Sequence, residues 1–320
     1  MWKRVGGSLC LFSVIYLILF DIINIYLLMF IGFWIAVLLY LFFFDRYTFS
    51  RSHPEFVFIP DSVGSSAGVY SIQGRRRHME DTYRAVLNFS GDAMSGFYGV
   101  FDGHGGEKAS SFSAKHMYTA VSNESLFRDP ETALKRGYQQ LDRDFLKLAA
   151  RYDWEDGTTA VVAVLIHNVL YVANCGDSRA VLISGGRAIP MSNDHKPNNE
   201  SERRRIEKAN GEIIFVGTWR VAGILAVARA IGDRHLKQWV IPDPDVQRRV
   251  LTRDDDFLIL ASDGVWDVTS NEEAANIVLS VLSSSGGNLM TAAESLTEHA
   301  YREGSLDNIT SLVINLKKYR

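Results

Sequence analysis

The stretch Phe97-Tyr98-Gly99-Val100-Phe101-Asp102-Gly103-His104-Gly105-Gly106 carries two signals at once. Its first half is apolar and aromatic and reads as a buried β-strand. Its second half sets a short carboxylate at the strand end, with glycines that let backbone approach a ligand and a histidine directly behind. The pattern recurs. Leu258-Ile259-Leu260-Ala261 runs into Ser262-Asp263-Gly264-Val265-Trp266-Asp267, and Tyr171-Val172-Ala173-Asn174 runs into Cys175-Gly176-Asp177-Ser178-Arg179. Asp307-Asn308 precedes the run Ile309–Leu316, and Glu80-Asp81 follows the basic turn Gly74–Arg77. One Asp-Gly after a strand is a turn. A set of short carboxylates on rigid strand ends suits hard cations such as Mg²⁺ or Mn²⁺. No cluster of histidine and cysteine offers zinc a site.

Around these ends the chain reads as short strands and amphipathic helices. Val/Ile/Phe-rich runs at Val69–Gln73, Gly96–Phe101, Ala160–Ile166, Leu170–Ala173, Ala180–Ile183, Phe257–Ala261 and Ile309–Leu316 are strand candidates. Leu134, Tyr138, Leu141, Phe145 and Leu148 fall at helical spacing and predict a helix over 131–152. Ser270 with Glu273 forms a capping box for a helix Asn271–Leu282, and Glu107–Ser122 and Met290–Tyr301 are further helices. Strands without regular βαβ alternation predict an α+β fold with antiparallel sheets.

Composition sets the outer limits. The chain has 320 residues, 47% hydrophobic and 22% charged, close to the globular average of about 25% charged. A formal charge of −3 gives no sign of a nucleic-acid partner. Two cysteines, Cys10 and Cys175, cannot build a disulfide framework. The N-terminus differs from the rest: Ile25–Phe44 is 20 residues without a charge, long enough at about 1.5 Å per residue to span a hydrocarbon layer of roughly 30 Å. Leu9–Phe20 is a shorter apolar run after Lys3 and Arg4, with no small-residue cleavage site behind it. It is either part of a hairpin turning near Asp21 and Asn24, which keeps Lys3, Arg4, Arg46 and Arg51 on one side, or a lead-in to a single span. The expected organisation is a membrane anchor at 1–45, a juxtamembrane linker at 46–63 and a soluble domain at 64–320.

Seven segments, in order, resemble the metal-dependent Ser/Thr protein phosphatases (the PPM family, type 2C). They are Gly74–Asp81, Phe97–Gly106, Gly157–Ala160, Asn174–Arg179, Asp194–Pro197, Ala261–Asp267 and Asp307–Thr310. The resemblance runs from about Val69 to Leu316. It implies an antiparallel β-sandwich flanked by helices, with two Mg²⁺ or Mn²⁺ ions at one end and phosphoproteins as substrates. By motif, Asp102 bridges both ions and the Gly103 carbonyl binds the first. Asp263 and Asp307 bind the second, with Glu80 and Asp81 acting directly or through water. Asp177 and Asp267, with Asp263, match a weaker third site. Two such ions lower the pKa of a bridging water that attacks phosphorus in line. Arg76 is a phosphate clamp or a solvated turn charge between Arg75 and Arg77. His104 protonates the leaving alkoxide or supports Asp102. In Leu225–Asp233, Ala228 stands where the family usually has Ser, and Arg229 with Asp233 reads as a structural ion pair. The N-terminal anchor resembles that of an endoplasmic-reticulum-tethered branch of the family, with the catalytic domain facing the cytosol.

Rival chemistries fail on residues. Cys175 has Val181 where a cysteine-phosphatase loop requires arginine, Asp243-Pro244-Asp245 lacks a leading apolar strand, and no Gly-Lys pair makes a P-loop. A tethered pseudophosphatase that only binds phosphoproteins is the alternative from another class. It should have lost metal carboxylates, and all the matched ones are present. The sequons at Asn88, Asn123, Asn199 and Asn308 raise a lumenal domain as a further alternative; they are read as unused.

Overall fold

The computed structural model describes residues 66–122 and 126–320, with four helical positions at 30 and 32–34. The chain divides into two compact units, Met1–His53 and Pro54–Arg320. The runs 9–20 and 25–44 and the linker 46–63 lie outside the described residues, apart from those four positions. Among the described residues, no helix is long and apolar enough to cross a membrane.

In chain order, the elements begin with β1 (Ala67–Ile72), β2 (Thr82–Leu87), β3 (Ser95–Phe101), β4 (Gly103–His104), α1 (Lys108–Val121) and α2 (Pro130–Tyr152). Next come β5 (Gly157–Thr158), β6 (Ala160–Ile166), β7 (Val169–Cys175), β8 (Arg179–Ser184), β9 (Arg187–Pro190) and α3 (Glu200–Lys208). Then follow β10 (Ile213–Val216), β11 (Thr218–Val221), β12 (Ile231–Gly232), β13 (Asp245–Val250) and β14 (Asp255–Ala261). The one-turn α4 (Asp263–Trp266), α5 (Asn271–Ser284), α6 (Leu289–Arg302) and β15 (Ile309–Asn315) complete the unit.

Two five-stranded antiparallel sheets form the frame, in the orders β1-β15-β14-β8-β9 and β13-β7-β6-β3-β2. Their inner faces meet through Tyr98, Val100, Val161 and Leu165 on one side and Leu258, Leu260, Leu312 and Ile314 on the other. Phe97, Phe101, Val162 and Val164 point outward and pack under α1 and α2 against Met117, Leu134, Tyr138 and Phe145. Ile259 and Val313 pack under α5 and α6 against Val278, Ala293 and Leu296. The layers are therefore helix, sheet, sheet, helix. An antiparallel sheet with a wet face alternates apolar and polar residues. Here both faces are covered, so every residue of β3 and β6 is buried, and both strands read as unbroken apolar runs.

The strands and helices predicted between Val69 and Leu316 are all present. The Ser270 hydroxyl accepts the Glu273 amide hydrogen at 3.2 Å and opens α5. Some of the elements without a sequence signal sit at edges. β2 and β13 close the two ends of one sheet and are half-exposed, with Arg248 and Arg249 in β13. Charged, half-wet edge strands lack the apolar run that marks an inner strand.

The expected ion pair between Arg229 and Asp233 is not made. Arg229 binds Glu202 (Nη2 to Oε1, 2.6 Å) and Asp245 (Nη1 to Oδ1, 2.8 Å) instead. Asp233 follows Gly232 in the left-handed conformation (φ 51°), which turns its carboxylate toward His104. Ala228 remains hydrogen-bonded through its backbone: its N–H donates to the His195 carbonyl (2.8 Å) and its carbonyl accepts from Arg205 (2.7 Å).

Glu202 is buried beneath two guanidinium groups. Burial alone would raise its pKa, but the hydrogen bonds and charges of Arg229 and Arg205 hold it below the ordinary value. A depressed carboxylate stabilises the fold above its unfolded pKa and loses that contribution as pH falls through the folded one. Arg229→Met should therefore cost the unit Pro54–Arg320 about 3 kcal/mol at neutral pH, shrinking in acid. Urea denaturation reads both; a loss under about 1 kcal/mol at neutral pH would show the pair to be dispensable.

Candidate active site

A cavity of about 200 Å³ opens at the end of the sandwich, lined by Arg76, Asp102, His104, Asp177, Asp263 and Asp307 among others. The sheets deliver these groups as the sequence suggested: Asp102 directly after β3, Asp177 two residues after β7, Asp263 at the first turn after β14, and Asp307 just before β15. Close approach depends on glycine. A Cβ at Gly103 would stand 2.5 Å from the Glu80 carbonyl oxygen, and one at Gly264 would stand 2.0 Å from the Asn308 carbonyl oxygen.

Carboxylate oxygens of Asp102, Asp177 and Asp263 lie within 4.8 Å of one another. Burial, then repulsion from neighbouring carboxylates, pushes the Asp102 and Asp263 pKa values well above the ordinary range. Burial likewise lifts Asp81 and Asp177 to about 6. The Oδ1 atom of Asp263 is buried without a hydrogen-bond partner. An oxygen-only donor set with mutual repulsion and an unsatisfied carboxylate oxygen fits a hard divalent cation.

The other predicted residues are placed unequally. Asp81 is buried and its Oδ2 accepts from Ser262 and Thr310 hydroxyls, each at 2.7 Å. Glu80 is held through its backbone, its N–H to Asn308 Oδ1 (2.8 Å) and its carbonyl from Ser110 (2.5 Å); its carboxylate is outside the close trio. Asp307 pairs with Arg76 at 2.5 Å through Oδ2, while its Oδ1 accepts the Asn308 N–H at 2.7 Å. The expected third set, Asp177, Asp263 and Asp267, is not the tightest one. Lys196 stands 3.3 Å from Asp267 and 4.0 Å from Asp177, tying Asp267 to the rim while Asp177 joins Asp102 and Asp263.

His104 has a partner that sequence reasoning assigned elsewhere. Its Nε2 lies 3.0 Å from both carboxylate oxygens of the buried Asp233. Burial lowers the histidine pKa, but the Asp233 charge and hydrogen bond outweigh it and the net shift is upward. The small sheet β4-β5-β12 creates the pair. His104 and Gly232 both register with Gly157, and a Cβ there would stand 2.1 Å from Asp233 Oδ2 and 2.5 Å from His104 Nε2. Only glycine lets the two groups meet across the strand. Asn308 lies in a recognised segment, but its role in the site had no sequence signal. Its buried amide donates to the Gln73 and His78 carbonyls at 2.7 and 2.9 Å, so this sequon belongs to the fold and ties the Arg76 turn to Asp307.

Fold and site together define a class: a protein serine/threonine phosphatase built on a helix-flanked β-sandwich. The Protein phosphatase 2C family profile matches residues 65–309. The chain is 44% identical over 250 residues to "Probable protein phosphatase 2C 59" of Oryza sativa subsp. japonica, covering 78% of this chain and 75% of that one. It is 43% identical over 249 residues to the rice protein "Probable protein phosphatase 2C member 13, mitochondrial", covering 77% and 67%. The crystal structure of serine-threonine phosphatase 2C from Toxoplasma gondii superposes with a TM-score of 0.70 at 25% identity, covering 78% of this chain and 94% of that one. The chain belongs to the protein phosphatase 2C family.

The raised carboxylates predict a pH signature. Between the ordinary value of about 4 and the folded value, the metal-free fold binds more protons than the unfolded chain, so its stability falls as pH rises. Asp81 and Asp177 place that window between about 4 and about 6. A divalent cation replaces those protons, so Mn²⁺ should raise the melting temperature more at about pH 8 than at about pH 5. Equal shifts at both values, read by differential scanning fluorimetry, would remove the carboxylates from the binding site.

Proposed function

We propose that the protein is a membrane-anchored phosphatase that hydrolyses phosphoserine and phosphothreonine in signalling phosphoproteins, using two Mg²⁺ or Mn²⁺ ions. One observation carries the reading: the close set of Asp102, Asp177 and Asp263 shares a cavity with Arg76 and His104. Asp102, the Gly103 carbonyl, Asp263 and Asp307 hold the two ions, with Glu80 and Asp81 in support. Asp177 and Asp267, with Asp263, supply a weaker third position. When bound, the ions provide an activated water and offset charge on the phosphoryl oxygens.

The chain's own groups do the rest. Arg76 exchanges Asp307 for the substrate phosphate, which its planar fork binds through two oxygens. Asp233 fixes the His104 ring by accepting from Nε2–H. Nδ1–H then donates the proton to the departing serine or threonine oxygen. The aspartate also favours the protonated ring that this role requires.

The test uses phosphothreonine peptide and nitrophenyl phosphate side by side. Both activities should require Mn²⁺ or Mg²⁺, vanish in EDTA, gain little from Ca²⁺ and be nearly abolished by Asp102→Asn. His104→Gln should slow the peptide by roughly 10²–10⁴-fold and the nitrophenyl ester far less, because nitrophenolate leaves without a proton. Asp233→Asn should show the same asymmetry at smaller size. Full activity of Asp102→Asn with metal chelated would sink the metal reading, and equal losses on both substrates would leave His104 as support for Asp102.

The anchor rests on the charge-free run Ile25–Phe44. With basic residues on one side of a hairpin, the catalytic unit faces the cytosol, as in the endoplasmic-reticulum-tethered, 1-like kind of this family. The full chain should stay with membranes through carbonate extraction and show no mobility shift after glycosidase digestion. Release into the soluble fraction would contradict the anchor. Co-localisation with mitochondrial markers, as the name of one rice relative suggests for that relative, would replace the reticulum assignment.

A further inference from the structure

A second cavity, of about 430 Å³, lies beside the one that holds the carboxylates. The two share His104, Arg220 and Leu225. The second adds apolar wall from Ile224 and Leu236. Ile224 is 63% exposed, a large aliphatic side chain left in water at the mouth of a cleft. It is not on a loose loop. Its N–H donates to the Val221 carbonyl at 2.9 Å and its own carbonyl accepts from Arg220 at 2.5 Å, so a tight turn after β11 presents it. The mechanism above uses none of this apolar surface.

We propose that this cavity binds an apolar side chain of the substrate, on a residue directly flanking the phosphorylated serine or threonine. The inference rests on the phosphatase reading. His104 stands in the wall common to both cavities and gives its proton to the leaving oxygen, so the substrate's own side chain enters past His104. Its backbone then runs over the second cavity, and the adjacent Cα, about 3.8 Å along the chain, carries its side chain into it. The wall selects for chemistry. Ile224, Leu225 and Leu236 offer contact to an aliphatic group, which loses water on entry. Glu155 and Asp233 border the same space but are each paired with a histidine, and Arg220 lines it too, so the aliphatic wall rather than net charge sets the preference.

The experiment uses the full chain in detergent with saturating Mn²⁺. Its substrates are phosphothreonine peptides that carry Leu, Ala or Glu immediately before or after the phosphorylated residue, the rest being constant. On one of the two sides kcat/KM should rise about 10-fold from Ala to Leu. On that side Glu should fall below Leu, because the aliphatic wall gives its carboxylate no apolar burial. In Ile224→Ser the Leu-to-Ala ratio should drop toward one, a within-enzyme comparison that a general loss of activity does not mimic. A ratio near one on both sides, in an enzyme that hydrolyses nitrophenyl phosphate, overturns the subsite and leaves the phosphatase reading standing. A wild-type chain inactive on nitrophenyl phosphate and every peptide overturns the phosphatase reading and the subsite with it. A Leu preference that survives intact in Ile224→Ser and in Ile224→Asp also overturns the subsite, because the preference then arises elsewhere.

Discussion

Three carboxylates within 4.8 Å of one another repel, and the fold has to hold them there before any cation offsets the charge. That constraint accounts for the stiffness of what lies beneath. Asp102 and Asp263 leave strands that are each hydrogen-bonded on both sides, and Asp177 lies just beyond a third. The strands are clamped between two helical layers, so the ends cannot splay to relieve the repulsion. The buried hydroxyls of Ser262 and Thr310 complete the arrangement, since both donate to Asp81 and stabilise a charge that burial opposes.

The sequence made much of this readable, for a physical reason. A strand covered on both faces must be apolar throughout, so inner strands such as β3 and β6 stand out, and the carboxylate at each end breaks the run visibly. What stayed hidden was pairing in space. Arg229 and Asp233 are four apart, and proximity in sequence suggested a bond, yet Arg229 turns to Glu202 and Asp233 to His104. The only local sign was a glycine followed by a residue with positive φ, and φ is not written in the sequence. Lys196 and Asn308 lie inside recognisable segments, but their partners are distant in the chain and appear only once the sheets bring the loops together.

The cleft has two halves of different construction. One is the rigid strand-end set. The other belongs to a separate small core, with Ile206, Val221, Val227 and Val240 packed around α3 and the β10–β11 hairpin. Its connection to the sandwich is polar: Arg229 joins Glu202 of α3 to Asp245 of β13, and His195 stands 3.2 Å from the same Asp245. His195 also accepts the Gly176 N–H at 3.1 Å, one residue before Asp177. The network thus ties the hairpin side of the cleft to the loop that carries one of the three close carboxylates.

This division explains why His104 depends on a residue so far along the chain. The carboxylate half comes from the sandwich, and its positions are fixed by long strands. Asp233 comes from the segment that returns from the hairpin half, and it reaches His104 only through the two-residue strands β4, β5 and β12. Such short strands contribute little pairing energy, so the contact requires both halves in place. Gly157 between them removes the one side chain that would keep the histidine and the aspartate apart. A change that loosens the Glu202–Arg229 clamp therefore reaches the site by two routes, through the segment that carries Asp233 and through His195 to the loop of Asp177, and leaves Asp102 and Asp263 where the sheets hold them.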